Sequence, residues 1–342
     1  MLDRWLAWWI APKHGCDTIN RNKERGTDMK RSVAAAGCAV LAVAECLAMQ
    51  AGQGPVLKQV DGPDYSFSVQ AGIMLQSGES RELVFDGSHK LSELIWDISG
   101  LALAGGSVST SLGASFKINA GLWIAINEGN GSMVDYDWFV PGYDWTHFSK
   151  GDVEINSAYL FDVNGDYTFW SCPMVSLYGI CGYKRLLWDW REYGQSYIYS
   201  EFGFRDDRGY LDGENGIDYE QVFDIPYLGL GSRLHAGRLS ATAYFLYSPL
   251  VQAEDYDHHI LRGIKFSETY ENIDYIGFGG QVSVELTDTL FIAMALDGHM
   301  IPEARGDMII YDMVNGEIDA IPGAGGLENS VIATTLLVGL RL

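Results

Sequence analysis

Two short acidic clusters hold the side chains with the most chemical potential in this chain: Asp135-Tyr136-Asp137 and Asp255-Tyr256-Asp257-His258-His259. In each, the reactive groups lie two residues apart. On a β-strand alternate side chains share a face, so Asp135 and Asp137 would project together, as would Asp255, Asp257 and His259. An imidazole held by a carboxylate can take a proton from water, because the carboxylate fixes the tautomer and stabilises the imidazolium. A carboxylate pair facing it could hold that water from the other side, and two close carboxyls drive their pKa values apart. Such a site would hydrolyse without a Ser or Cys nucleophile. The competing reading is an acidic loop whose charges are merely solvated, and spacing alone leaves both open. His258 and His259 would point to opposite faces of a strand and so would not share a metal. GxSxG, HExxH, phosphate-loop and dinucleotide motifs do not occur.

The elements that must position these clusters read as strands. In Leu290–Met300, Leu290, Ile292, Met294, Leu296 and Met300 share one parity, and Phe291, Ala293, Ala295, Asp297 and His299 the other. Period two recurs in 155–163, in 239–247 and at the C-terminus, where Ile332, Leu336, Val338, Leu340 and Leu342 share a face. About ten such segments are expected: 65–80, 89–104, 108–127, 153–170, 174–200, 215–234, 238–254, 267–286, 290–305 and 329–342. The connections are expected to alternate. Tight turns fall near Gly105-Gly106, Cys172-Pro173, 235–237 and 287–289. Longer polar loops fall at 81–88, 128–152, 201–214, 255–266 and 306–328. Short turns at one end and long polar loops at the other are the pattern of an outer-membrane barrel. Trp123, Trp138, Trp145, Trp188, Trp190, Tyr197 and Tyr199 near strand ends would supply part of its interfacial girdles.

Composition agrees: 40 Gly and 43 aromatic residues (19 Tyr, 14 Phe, 10 Trp) accompany only 9 Pro, which suits many strands and tight turns. Residues 1–51 hold 7 Lys/Arg and 5 Asp/Glu, so the remainder carries 16 against 40, a net charge of −24. That surface repels nucleic acid and attracts cationic partners. Met29-Lys30-Arg31 followed by an apolar run to Ala48 reads as a signal peptide over 29–51, with 1–28 an upstream misreading of the start and 52–342 the barrel. Cys172 and Cys181 are expected to stay unbridged. The turn at Cys172-Pro173 places Cys181 too far up the return strand for the ~7 Å Cα limit.

Several segments resemble one family. Met133-Val134-Asp135-Tyr136-Asp137-Trp138 resembles the M-V-D-x-D-W segment of the omptins, ten-stranded outer-membrane proteases of Gram-negative bacteria. In order there follow Ser196-Tyr197-Ile198-Tyr199-Ser200, Gly203-Phe204-Arg205-Asp206-Asp207, Pro226-Tyr227-Leu228-Gly229-Leu230 and the D-x-D-x-H cluster from Asp255 to His259. Ser77-Gly78 through Glu82 is similar to the tip of the family's first strand. The resemblance covers about residues 65–342. It implies an all-β, ten-stranded antiparallel barrel in the outer membrane with its site facing the exterior. The implied enzyme is an aspartyl-type endopeptidase, cutting at Arg or Lys. Asp135 and Asp137 would be the catalytic carboxylate pair, Asp257 and His259 the dyad, and Glu82 and Asp255 the acidic lining of the P1 pocket.

The implied partners are basic peptides or proteins as substrate and outer-membrane lipid. Nucleic acid is not among them, and the chain is expected to be a monomer. No metal or organic cofactor is expected. Lipopolysaccharide is the candidate activator, although the family's lipopolysaccharide-binding Arg stands here as Leu187 and its Glu as Arg185. A second basic position falls near His235, and other contacts such as Lys184 and Arg185 would have to serve. The alternatives are a catalytically inactive barrel acting as an adhesin or receptor, and a narrow porin.

Overall fold

The computed structural model describes residues 65–342, so the expected upstream start and signal peptide lie outside the described residues. The strands are β1 (Tyr65–Asp86), β2 (His89–Leu112), β3 (Phe116–Ala125), β4 (Gly131–Asp137), β5 (His147–Ser171), β6 (Val175–Tyr199), β7 (Asp207–Tyr210), β8 (Asn215–Ala236), β9 (Leu239–His259), β10 (Ile264–Glu285), β11 (Leu290–Asp312) and β12 (Ile318–Arg341). β1 pairs with both β2 and β12, which closes the sheet into a ring. β3 and β4 both pair with β2 and with β5, so they are two segments of one stave interrupted at 126–130. β7 only flanks the tip of β6. The twelve strands therefore make the ten staves that the sequence suggests.

Closure satisfies every edge, which is what allows a sheet to cross lipid. The outward parity of β11 and β12 is exposed and apolar, with Met294 54 % and Leu336 64 % accessible, while Phe291, Ala293 and Leu337 face in. This belt includes Phe67 to Leu75 on β1, Leu239 to Leu250 on β9, and Phe278 to Val284 on β10. Beyond it the staves continue. Glu82 stands seven residues past Leu75, about 23 Å along the strand at ~3.3 Å per residue.

Two expectations about connections are corrected. The first tight turn lies at 113–115, not at Gly105-Gly106, which sit within β2. Those glycines serve close approach: a Cβ on Gly106 would fall 2.3 Å from the Gln70 carbonyl oxygen. Segments 81–88, 255–266 and 306–328 are largely strand rather than loop, and β1 turns into β2 through two residues, Gly87 and Ser88. Glu82, Asp255 and Asp257 of these segments face the lumen above the membrane, so a polar stretch there is a strand lining a cavity. Irregular backbone at this end is concentrated in 138–146, 200–206 and 211–214.

The girdle expectation fails for Trp123, Trp188 and Trp190, which are buried inside the barrel. Trp96 stacks on Tyr219 at 5.0 Å, Trp190 on Tyr219 at 5.5 Å, and Trp188 on Trp190 at 6.3 Å. Each such pair adds about 0.5–1.5 kcal/mol beyond burial. The cluster links β2, β6 and β8 across the lumen and forms an apolar floor at the level where the outward belt ends. Cys172 and Cys181 are free and exposed, as their spacing suggests.

Candidate active site

Above that floor the inward parity turns from aromatic to acidic. On β4, Met133, Asp135 and Asp137 face in, with 1 %, 4 % and 2 % accessibility. The outward Tyr136 holds them there, its ring lying 5.0 Å from Phe148 and 6.0 Å from Trp145. Ser92 of β2, the register partner of Asp137, donates its hydroxyl to Asp135 Oδ1 at 3.2 Å. Asp137 Oδ1 is buried without a hydrogen-bond partner.

On the opposite wall β9 keeps Asp255, Asp257 and His259 on its inner face, all buried. His259 Nε2 lies 2.6 Å from Asp257 Oδ2. This is an ion-pair distance without the alignment of a hydrogen bond, and both Asp257 oxygens are otherwise buried and unmatched. The separation brings imidazole and carboxyl into direct contact. Phe266 packs edge-on against the imidazole at 5.4 Å and fixes its plane. The shared faces read from residue spacing are thus both present. His258 takes the other face of its strand, so the histidine pair has no common ligand site.

Glu82 and Asp135 share a row. Leu94 of β2 is the register partner of both, so the two carboxylates flank it about 10 Å apart at ~4.8 Å per strand. Asp255 belongs to a second row with Gln221 of β8 and Glu268 of β10. A chain of hydrogen bonds fixes that row: Ser80 Oγ donates to Gln221, Gln221 Nε2 to the Tyr219 hydroxyl at 2.9 Å, and that hydroxyl to Asp255 Oδ2 at 3.2 Å.

Burial dominates the electrostatics. It pushes the Asp135 carboxyl up to about 6, against the fields of Arg262 and His259 and the Ser92 hydrogen bond, which hold it down. Burial and the neighbouring Asp135 charge push Asp137 well above the carboxylate range. Asp255 rises to about 7 through burial, moderated by its Glu268, Tyr270 and Tyr219 hydrogen bonds. Glu82 rises well above its usual range, through burial first and then the charges of Asp257, Glu268, Asp255 and Asp135. Among the described residues no group of three or more His, Cys, Asp or Glu is arranged to hold a metal ion.

These shifts predict a stability effect. A carboxyl whose folded pKa lies above its unfolded value binds its proton more tightly when folded. Its contribution is favourable at low pH and is lost as pH rises from ~4 toward 7. Asp255→Asn should therefore stabilise the fold at pH 8, by up to roughly 4 kcal/mol on linkage grounds, and so raise its apparent unfolding temperature. The gain should vanish near pH 4. Heat-modifiable electrophoretic mobility at the two pH values measures it, and an equal change at both would refute it.

The sequence over residues 63–342 matches the model of the Omptin family. The chain belongs to the omptin family. Its relatives include outer membrane protease OmpP of Escherichia coli strain K12, 29 % identical over 282 residues, covering 80 % of this chain and 89 % of that protein. Protease 7 of the same strain is 30 % identical over 270 residues, covering 76 % and 85 %. The plasminogen activator of Yersinia pestis is 28 % identical over 278 residues, covering 80 % and 88 %. The crystal structure of outer membrane protease OmpT from Escherichia coli superposes with a TM-score of 0.78 at 26 % identity, covering 83 % of this chain and 99 % of that one. This omptin is an outer-membrane barrel.

Three groups at the omptin site escape a reading of motifs. Arg262, in the turn after His259, acts on Asp135 and Asp137 and hydrogen-bonds Tyr199. Glu192, pushed up to about 8 by burial and by Asp135, faces the same lumen. Glu268 joins Asp255. Its signal was available: Ile264, Phe266, Glu268 and Tyr270 share a parity, and a carboxylate interrupts an otherwise apolar face.

The structure also corrects the lipopolysaccharide contacts. Lys184 faces the lumen, 3.5 Å from Asp162 and 3.3 Å from the Tyr275 hydroxyl, so it cannot reach lipid on the outer wall. His235 lies at the turn end of β8, the end of the barrel opposite the site. Arg185 does face outward, paired with Asp224 at 2.7 Å.

Proposed function

We propose that this omptin-family protease hydrolyses peptide bonds beside arginine or lysine at the exterior face of the outer membrane. Water would be activated between the Asp257–His259 dyad and the Asp135–Asp137 pair. The observation that carries this reading is the placement of two buried acidic sets on facing walls of one rim, one of them with an imidazole at 2.6 Å. Nε2 faces Asp257, so Nδ1 takes the water proton while Asp257 stabilises the imidazolium. Asp135, ionised above about pH 6, accepts the water's second hydrogen. Asp137 keeps its proton and donates to the developing oxyanion, with the Arg262 charge nearby. The imidazolium then protonates the leaving amine.

Glu82 and Asp255 form the pocket for the basic side chain. Glu82 Oε2 is buried without a partner and awaits a donor. The net charge of −24 beyond residue 51 would steer cationic peptides inward. We assign lipopolysaccharide as a candidate activator, bound on the outer wall around Arg185, and the functional unit as a monomer.

The test is refolding in detergent with and without lipopolysaccharide, followed by cleavage of a fluorogenic Arg-Arg peptide and of a matched peptide with a neutral residue at the cut. Cleavage of the basic peptide alone is expected. Equal cleavage of both, or of neither, would contradict the proposal.

A further inference from the structure

Glu268 lies directly opposite Asp255 in the β9–β10 register, on the same inner face and 1 % accessible. Paired residues on one face stand close enough to act on a common ligand. Two residues on, Tyr270 serves both carboxylates with one hydroxyl: it hydrogen-bonds Glu268 Oε2 and lies 3.2 Å from Asp255 Oδ2. Asp255 Oδ2 also accepts from the Tyr219 hydroxyl at 3.2 Å, which leaves the Tyr270 proton to Glu268. Glu268 Oε1 and Glu82 Oε2 are both fully buried with no hydrogen-bond partner. β12 makes room for this side chain at Gly325, where a Cβ would fall 2.9 Å from Glu268 Oε2. The pocket thus presents three carboxyl groups and two orphaned oxygens, one on Glu82 and one on Glu268.

The missing donors must come with the ligand. An ammonium brings three hydrogens on a point charge, which Glu82 and Asp255 would satisfy. A guanidinium brings five N–H groups in a fixed plane and engages carboxylates along its edges. A third carboxylate beside Asp255 offers acceptors on a further edge. Building on the P1 pocket proposed above, we infer that Glu268 is a specificity-determining residue that makes this pocket select arginine over lysine.

The test uses the refolded protein with lipopolysaccharide and three peptides that differ only at P1: arginine, lysine, and citrulline as the neutral isostere of arginine. The unmodified protein should favour arginine over lysine by about ten-fold or more in kcat/KM, the weight of one charge-assisted hydrogen bond. Glu268→Gln, which keeps an acceptor for Tyr270, should lower the arginine value by about ten-fold, chiefly through KM, and the lysine value by less than about two-fold. Equal losses on both substrates, or none, would overturn the inference and leave the basic-site reading standing. Failure of the unmodified protein to prefer either basic peptide over citrulline would instead remove the reading on which it rests. If Glu268→Gln does not refold, competition on the unmodified protein decides: argininamide should inhibit at a lower concentration than lysinamide, and equal inhibition refutes the inference.

Discussion

Replacing His259 with alanine is expected to lower kcat for an Arg-Arg peptide by about ten-thousand-fold, the scale lost when a general base is removed from a cooperating set. KM should change little, because in the proposed mechanism the imidazole would touch the water and the leaving amine rather than the basic side chain assigned to the Glu82–Asp255 pocket. The barrel should persist. His259 is at the end of β9, its register partners are Ile217 and Ile264, and the ring closure through β1 and β12 lies elsewhere. Stopped assays of refolded variant, with heat-modifiable mobility as the folding control, measure both quantities. The acid limb of the unmodified protein should fall near pH 6. There the Asp135–Asp137 pair takes up a second proton and can no longer accept from water. A full rate in His259→Ala would remove the dyad from the chemistry.

The second large effect concerns selectivity. Glu82→Gln removes a charge from a fully buried pocket and leaves shape nearly unchanged. Discrimination between an arginine and a neutral residue at the cut should drop by about a hundred-fold, the cost of losing one buried charge pair. The loss should appear in kcat/KM for the basic substrate only. Folding should hold or improve, since Glu82 is an acid whose burial and acidic neighbours oppose its ionisation. Stability gained where function is lost is the expected sign for a residue kept for its chemistry. Equal loss on basic and neutral peptides would show that Glu82 supports the site without reading the substrate.

Much of this arrangement is legible in residue spacing. The parity of Asp135 with Asp137, and of Asp255 with Asp257 and His259, is the parity seen on β4 and β9. The alternation in 290–300 and 332–342 separates belt from lumen as the structure does. Assigning roles to the six site residues needs the resemblance to the omptins, because alternation does not say which strands face each other. What spacing misread has a common cause. Above the membrane the inner face of β9 is acidic, so the polar segment 255–259 looks like a loop although it is strand. For the same reason Glu268 hides in a stretch that reads as a polar boundary. Trp188 and Trp190 were misplaced because aromatic residues at strand ends suit a lipid interface and a lumen floor equally well. Lys184 faces the lumen and its neighbour Arg185 the lipid, because one residue of parity separates the two walls.

The central claim is that two facing walls act on one water, and a double substitution tests it most directly. Asp135→Ala, His259→Ala and the combined variant should be compared for single-turnover cleavage of one Arg-Arg peptide, each verified as a folded barrel. Groups that act as a unit are non-additive: losing either should cost about as much as losing both. The prediction is three variants at the same low floor. Single-variant losses that multiply in the combined variant, or either single variant at the unmodified rate, would contradict it.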